Sequence, residues 1–230
     1  MRTLAIVPVK GFGEAKRRLS DSLAPGARSC LAQAMCSDVL AALARVRAIE
    51  EVVVVTADPA AQQLAHGRAR VLHDSAQAGQ SAAAEIGVRH ALAAGFERAL
   101  MVPGDTPLLD AQEVEALLAR SAARGIAIVA DRHGTGTNAL VLAPPDAIAP
   151  AFGPGSLERH VGLAEASGLP HRVEEAPSLA HDVDTPEDLD ALRAALAGVR
   201  GRAQRTWGAL HQLDNARSRA PVAAPVEVEA

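Results

Sequence analysis

The apolar run Leu100-Met101-Val102 stops at Pro103-Gly104 and gives way to Asp105, then Thr106-Pro107. The pattern reads as a buried strand ending in a tight turn, with a carboxylate at its carboxyl end. Open α/β sheets bind their ligands at the carboxyl ends of strands. A carboxylate there suits a hard cation such as Mg²⁺, which commonly joins one or two protein carboxylates to substrate phosphates. Taken alone, Asp105 fits a turn or helix cap equally well. Later, Asp182 and Asp184 alternate at strand spacing and so face one side of an extended segment. Thr185-Pro186-Glu187-Asp188 follows as a helix start: Thr185 as N-cap, proline at the first helical position, acids in the first turn.

The cations are clustered. Lys10 and Lys16 are the only lysines; all other basic residues are arginines, Arg18 among them. A compact ammonium suits a phosphate, whereas arginine suits planar bidentate pairing. Gly11 and Gly13 lie in the same segment, so backbone N–H groups and ammonium groups can converge there on a polyphosphate. The segment is neither a Walker A motif nor a complete dinucleotide fingerprint; a solvated basic turn is the alternative. Gly79-Gln80-Ser81 opens a helix. Gly134-Thr135-Gly136-Thr137-Asn138 is a polar, Gly/Thr-rich stretch ahead of a strand. Phe152-Gly153-Pro154-Gly155-Ser156 precedes a helix over 157–166, and Ser156 as its cap would leave N-terminal N–H groups pointing at an anion.

The elements that must position these residues follow from periodicity. Apolar runs predict strands over 4–9, 51–56, 70–73, 99–102, 126–130 and 139–142. Helical spacing predicts helices over 28–45, from an Asp58 cap to about 66, 79–94, 110–124 (stopped by Gly125), 157–166 and 186–198. Strands and helices alternate at the spacing of βαβ units up to residue 130. The expectation is an α/β, three-layer αβα sandwich with a mostly parallel sheet. Residues 1–198 read as a single domain. Residues 199–230 read as an extension in which Trp207, Leu210 and Leu213 mark one short helix before a disordered Ala/Pro-rich tail.

Composition bounds the class. In 230 residues, 49% are hydrophobic but only 2% aromatic, so the core is to be built from Ala, Leu, Val and Ile. A net charge of -4 gives no footprint for nucleic acid. No apolar run reaches a membrane span, and the N-terminus lacks a signal-peptide pattern. Cys30 and Cys36 suit buried small residues in a reducing compartment. These features predict a soluble, cytoplasmic protein without nucleic-acid or membrane partners. The cationic loop, the carboxylates and the Gly/Thr loops together favour phosphoryl or nucleotidyl transfer; G-x-G-x-x-G and G-x-S-x-G are both absent.

Several of these stretches resemble the CofC/FbiD guanylyltransferases of coenzyme F(420) biosynthesis, within the nucleotide-diphospho-sugar transferase-like group. They are Val7-Pro8-Val9-Lys10, Ala15-Lys16-x-Arg18-Leu19, Gly79-Gln80-Ser81-Ala82-Ala83 and Pro103-Gly104-Asp105-x-Pro107-Leu108-Leu109, then Gly134-Thr135-Gly136-Thr137-Asn138, Phe152-Gly153-Pro154-Gly155-Ser156 and Asp182-Val183-Asp184-Thr185-Pro186. The Gly-Thr-Gly-Thr and Phe-Gly-Pro-Gly-Ser pair is the specific part. The resemblance implies transfer of GMP from GTP to a small phosphorylated carboxylic acid, with release of pyrophosphate. The acid would be phosphoenolpyruvate, 2-phospho-L-lactate or 3-phospho-D-glycerate. The resemblance also implies hand-over of the product to the downstream deazaflavin-joining transferase. Asp105, Asp182 and Asp184 would coordinate Mg²⁺. Thr137 or Asn138, with Gly153 and Ser156, would hold the acceptor; Gly11, Gly79, Gln80 and Ser81 would hold the nucleotide. Lys10, Lys16 and Arg18 would act with Asp105 on the phosphates. The rivals are another nucleotidyltransferase, of CTP-dependent molybdopterin or sugar-phosphate type, and a non-catalytic nucleotide-binding regulator.

Overall fold

Among the described residues the chain forms seven strands: β1 (Thr3–Pro8), β2 (Glu51–Thr56), β3 (Arg70–His73), β4 (Arg98–Met101), β5 (Gly125–Ala130), β6 (Thr137–Ala143) and β7 (His171–Glu174). Seven α-helices accompany them: α1 (Pro25–Leu43), α2 (Pro59–Ala65), α3 (Gln80–Ala93), α4 (Ala111–Arg120), α5 (Ser156–Ser167), α6 (Pro186–Gly198) and α7 (Gln204–Arg219). The computed structural model describes residues 1–198 and 201–219. The strands make one sheet in the order β3-β2-β1-β4-β6-β5-β7, parallel except for β6, which runs against both β4 and β5.

Period-2 alternation distributes each strand between two cores. Ala5 and Val7 join Val39, Leu43, Ala61, Val114 and Leu117 beneath α1, α2 and α4. Leu4 and Ile6 join Ala84, Val88, Ala91 and Ala164 beneath α3 and α5. This is the expected αβα sandwich, and its cores are aliphatic. Gly87 shows how closely α3 lies on the sheet: a Cβ there would stand 2.4 Å from Ile6. A third apolar cluster joins Leu31 and Met35 on the outer side of α1 to Leu189 and Leu192 of α6 and Leu210 of α7. Helix α7 is longer than one short helix. Asp38 of α1 anchors its start by accepting from the Thr206 N–H and hydroxyl, at 2.8 and 2.7 Å. Trp207 stays 55% exposed, stacked on His211. The tail expected beyond it, residues 220–230, lies outside the described residues.

The structure corrects four local expectations. Helix α4 ends at Arg120 rather than running to residue 124, because Ser121 already has extended backbone. Gly125 is therefore no helix stop. It is the first residue of β5, where a Cβ would stand 2.6 Å from the Pro170 carbonyl. Strand β7, polar and short, lacks an apolar run to mark it; it pairs with β5 at the sheet edge. Cys30 is exposed, whereas Cys36 is buried as expected.

Candidate active site

Strand order reverses between β1 and β4: β2 and β3 extend to one side of β1, and β4 starts the other side. Such a switch point opens a crevice at the strand carboxyl ends. The loop after β1 carries Lys16, and the turn after β4 carries Asp105. Because β6 is antiparallel, its first residues, Thr137 and Asn138, lie at this same edge of the sheet. Topology thus brings the sequence-predicted segments to one rim.

Lys16 bridges two carboxylates across that rim. Its Nζ donates to Asp105 Oδ2 in a short ion pair and to Asp184 Oδ1 at 2.9 Å. The lysine side chain is only 7% exposed, that of Asp105 26% and that of Asp184 53%. Burial opposes the ammonium charge, but Asp105 and then Asp184 outweigh it and hold Lys16 above the usual lysine range. Lys16 also has left-handed backbone, φ 58° and ψ 41°. That conformation costs a non-glycine residue about 1–3 kcal/mol. The loop that imposes it is tethered by Asp58. One carboxylate oxygen of Asp58 caps α2, accepting from the Ala60 N–H at 2.7 Å; the other accepts from the Phe12 N–H at 2.6 Å. Asp58 was legible as a cap. Its second bond, across 46 residues, left no mark in the sequence.

Asp182 enters beside this pair. Asn138 Nδ2 donates to Asp182 Oδ1 at 3.0 Å and to the Leu179 carbonyl at 2.9 Å. Burial pushes the Asp182 carboxyl up to about 6; the Asn138 bond opposes the shift, and Asp105 and Asp184 add to it. Val183 between the two aspartates is fully buried against α6, so Asp182 and Asp184 face away from it, as the spacing predicted. The segment is held by Asp188. Its Oδ2 accepts from the N–H groups of Asp184 and Thr185, at 3.0 and 2.8 Å, while Thr185 Oγ1 accepts from the Asp188 N–H. This is a capping box, and Thr185 caps as expected. Asp188 Oδ1 also receives Arg132 and His133. Burial works against the Asp188 charge, but Arg132 and the Thr185 bonds hold its carboxyl well below the ordinary range. The Thr185 cap was readable from four adjacent residues; the bond that Asp188 returns to it and the pairing with Arg132, 56 residues away, were not.

One atom of this cluster is unsatisfied. Asp105 Oδ1 is buried without a hydrogen-bond partner among the described residues. Beneath it lies Cys36, whose Sγ a Cβ on Gly104 would touch at 3.4 Å. Burial, with Asp105 nearby, pushes that thiol up to about 12, so it stays protonated and inert. The orphaned oxygen and the all-oxygen donor set of Asp105, Asp182 and Asp184 fit a hard divalent cation. Mg²⁺ is such a cation: it takes carboxylate oxygens together with water and phosphate oxygens.

The other face of β6 builds a different kind of site. Thr137 N–H donates to Ser156 Oγ at 2.8 Å, and Thr137 Oγ1 lies 2.9 Å from His160 Nδ1. Gly153 and Gly155 have positive φ, 110° and 71°. Ser156 does not cap α5: Gly155 is the N-cap, and Ser156 is the first helical residue with its hydroxyl taken up by β6. Arg159 braces the loop from below, donating to the Ala151, Phe152 and Pro154 carbonyls. Phe152 N–H donates to Ser81 Oγ at 2.9 Å, which joins this loop to the start of α3. Gly79 is the N-cap of α3, with φ 105°, and the segment Gly79-Gln80-Ser81 follows the carboxyl end of β3. Arg159 and His160 were not singled out from the sequence. The available signal was spacing: each stands four residues after Gly155 and Ser156, on the same helix face.

Three predicted cation positions separate. Lys16 enters the cluster. Lys10 and Arg18 are exposed, and among the described residues neither makes an ion pair or hydrogen bond with the aspartates. Gly11 is half-buried beside Asp58, 3.5 Å from where its Cβ would be.

Comparison with known proteins gives the family and the fold. A family model described as guanylyl transferase, CofC like, matches residues 3–204. The chain belongs to that family. It is 51% identical to a phosphoenolpyruvate guanylyltransferase of Conexibacter woesei, over 93% of this chain and 97% of the relative. It is 41% identical to one of Sphaerobacter thermophilus, over 84% and 93%. Among solved structures, a Desulfovibrio desulfuricans G20 protein assigned as a nucleotide-diphospho-sugar transferase superposes with a TM-score of 0.74. It is 16% identical, over 94% of this chain and 96% of that one, and shares the fold. Members of this family are nucleotidyltransferases, and the expected enzyme class stands. Among the described residues no helix is long and apolar enough to cross a membrane.

Proposed function

We propose that this chain transfers GMP from GTP to phosphoenolpyruvate, releasing pyrophosphate, in the cytoplasmic biosynthesis of coenzyme F(420). The observation that carries the reading is the pairing, at one sheet edge, of a Lys16–Asp105–Asp184 cluster with a neutral hydroxyl and glycine cradle. Two relatives that match most of the chain are named for that activity. One half suits a nucleoside triphosphate, the other a small dianion or trianion.

In the proposed reaction a phosphate oxygen of the acceptor attacks the α-phosphorus of GTP in line. A P–O bond forms there while the bond to the β-phosphate's bridging oxygen breaks, and pyrophosphate leaves with that electron pair. The nucleophile is already anionic and needs no base, so positioning and charge neutralisation carry the rate. Mg²⁺ held by Asp105, Asp182 and Asp184 would supply charge neutralisation between the two phosphate groups. Lys16 would exchange part of its carboxylate pairing for the triphosphate, with Lys10 and Arg18 closing over the β- and γ-phosphates. Gly11, Gly79, Gln80 and Ser81 would receive the nucleotide. Thr137, Gly153 and Ser156 would receive the acceptor. Asn138, whose amide nitrogen is already spent on Asp182 and Leu179, would position the metal carboxylate. The product would pass to the transferase that joins it to the deazaflavin precursor.

The test is pyrophosphate release with Mg²⁺, each of the four NTPs and each of phosphoenolpyruvate, 2-phospho-L-lactate and 3-phospho-D-glycerate. Release with GTP and phosphoenolpyruvate is expected. Preference for CTP would point to the other nucleotidyltransferase type, and nucleotide binding without release to a regulator.

A further inference from the structure

His160 is fully buried on α5, and nothing in the nucleotide chemistry uses it. Hydrogen-bond direction fixes its state. The Ala151 N–H reaches Nε2 at 2.9 Å, and a backbone N–H can only donate, so Nε2 accepts and carries no proton. The neutral ring then bears its proton on Nδ1, 2.9 Å from Thr137 Oγ1, and donates to that hydroxyl. Burial and the neighbouring Arg159 charge lower the imidazole to about 4, so the ring is neutral near pH 7. The Phe152 ring packs edge-on against it at 5.1 Å and 74°, fixing its plane.

The consequence falls on two hydroxyl groups. Thr137 Oγ1 accepts from the ring, so its own proton is turned away from His160. Ser156 Oγ accepts from the Thr137 N–H, so its proton is likewise unspent. Among the described residues neither proton has an acceptor. With the opposite tautomer, Thr137 would have to donate to the ring, and one of the two donors would be lost.

We infer that His160 is a positioning residue that turns the Thr137 hydroxyl into a donor, beside the Ser156 hydroxyl that the Thr137 N–H orients, for the phosphate or carboxylate of the acceptor. The inference rests on Thr137 and Ser156 being the acceptor site. His160 touches no reacting atom; it acts through Thr137.

The experiment compares the full-length protein with His160→Leu, His160→Asn, Thr137→Val and the His160→Leu/Thr137→Val double variant by pyrophosphate release. An asparagine amide can stand where Nδ1 stands and keep a donor to Thr137. Losing one hydrogen bond to a charged ligand should raise the phosphoenolpyruvate KM by about tenfold to a hundredfold in His160→Leu and in Thr137→Val. His160→Asn should recover most of that loss, and the double variant should be no worse than Thr137→Val alone. The GTP KM should stay within about twofold throughout. An unchanged phosphoenolpyruvate KM in His160→Leu overturns the inference, as do equal rises in both KM values or losses that add in the double variant. If His160→Leu does not fold, His160→Met takes its place: it too must raise the phosphoenolpyruvate KM while His160→Asn stays near wild type, and an unchanged KM in His160→Met overturns the inference. Wild-type protein that releases no pyrophosphate fails the guanylyl-transfer reading instead. The inference is then read from phosphoenolpyruvate binding by calorimetry, with the same order of variants expected.

Discussion

Strand β6 serves two half-sites built on opposite electrostatic plans. On the Asn138 side, charges meet charges: Lys16 spans Asp105 and Asp184, and Asp182 is buried beside them. On the Thr137 side the ligating groups are neutral, and a backbone N–H and a histidine preset the direction of each hydroxyl. The difference matches what each half is proposed to bind. A triphosphate with a cation needs charge neutralised, and a cluster already rich in both signs can exchange partners. A small acid needs directional donors in fixed places, and neutral groups supply these without ion pairs that must first be broken.

The sharpest way to break this comparison is Asp105→Asn. The change is isosteric but removes the one carboxylate that holds both Lys16 and an orphaned oxygen. We expect kcat for pyrophosphate release to fall by about a thousandfold, near the upper end for loss of one preorganised electrostatic contact. The phosphoenolpyruvate KM should change little. Full turnover at saturating Mg²⁺ would remove Asp105 from the charged half.

The next effect is on stability and belongs to the neutral half. The folded chain holds His160 at about 4, against an ordinary value of 6.5. As pH falls below the unfolded value, the unfolded chain takes up a proton that the folded chain refuses. His160 therefore costs nothing above about pH 6.5, and stability drains away between about pH 6.5 and 4, by up to about 3 kcal/mol. Asp182, raised to about 6, runs the other way as it protonates. The His160 contribution is thus the difference between wild type and His160→Asn in urea unfolding at several pH values. Curves that stay parallel from pH 7 to about 4 would sink the assignment.

How much of this was legible follows from range. Strands β2 and β3 were readable residue for residue, because runs such as Glu51-Val52-Val53-Val54-Val55-Thr56 carry their own signal. The Thr185 cap was readable for the same reason: its partner Asp188 is three residues away. Asp105 and the Lys16 loop could be named because each follows an apolar run, and Asp182 and Asp184 because they alternate just ahead of a helix start. Their partners could not. Lys16 and Asp105 are 89 residues apart, and Asn138 and Asp182 are 44 apart. Only the folded sheet decides that Asn138 faces the aspartates while Thr137 faces His160. Gly125 misled for a related reason: glycine marks a helix stop locally, yet here it admits the Pro170 carbonyl, which only tertiary packing supplies.

Lys16→Ala probes the charged half from its cationic side. The residue sits in left-handed backbone and makes both bridging contacts. Its loss should lower kcat with GTP by about thirtyfold, or about 2 kcal/mol, less than Asp105→Asn because Mg²⁺ and the flanking cations still neutralise the triphosphate. Single-turnover measurements at saturating GTP check this. An unchanged rate and GTP affinity would return the loop to a solvated basic turn.

The smallest effect expected is at Arg159, and it separates the halves most cleanly. Its guanidinium is exposed, so its charge is screened and its bonds to the Ala151, Phe152 and Pro154 carbonyls compete with water. What it contributes is the shape of the loop that carries Gly153 and leads to Ser156. Arg159→Leu keeps a helix-favouring residue and removes the brace. We expect the phosphoenolpyruvate KM to rise about fivefold, or about 1 kcal/mol, with kcat and the GTP KM nearly unchanged, as for loss of uniform binding. A fall in kcat at saturating acceptor would mean instead that Arg159 reaches the transition state. The neutral half would then depend on a charge after all, and the contrast between the two sides of β6 would be one of degree.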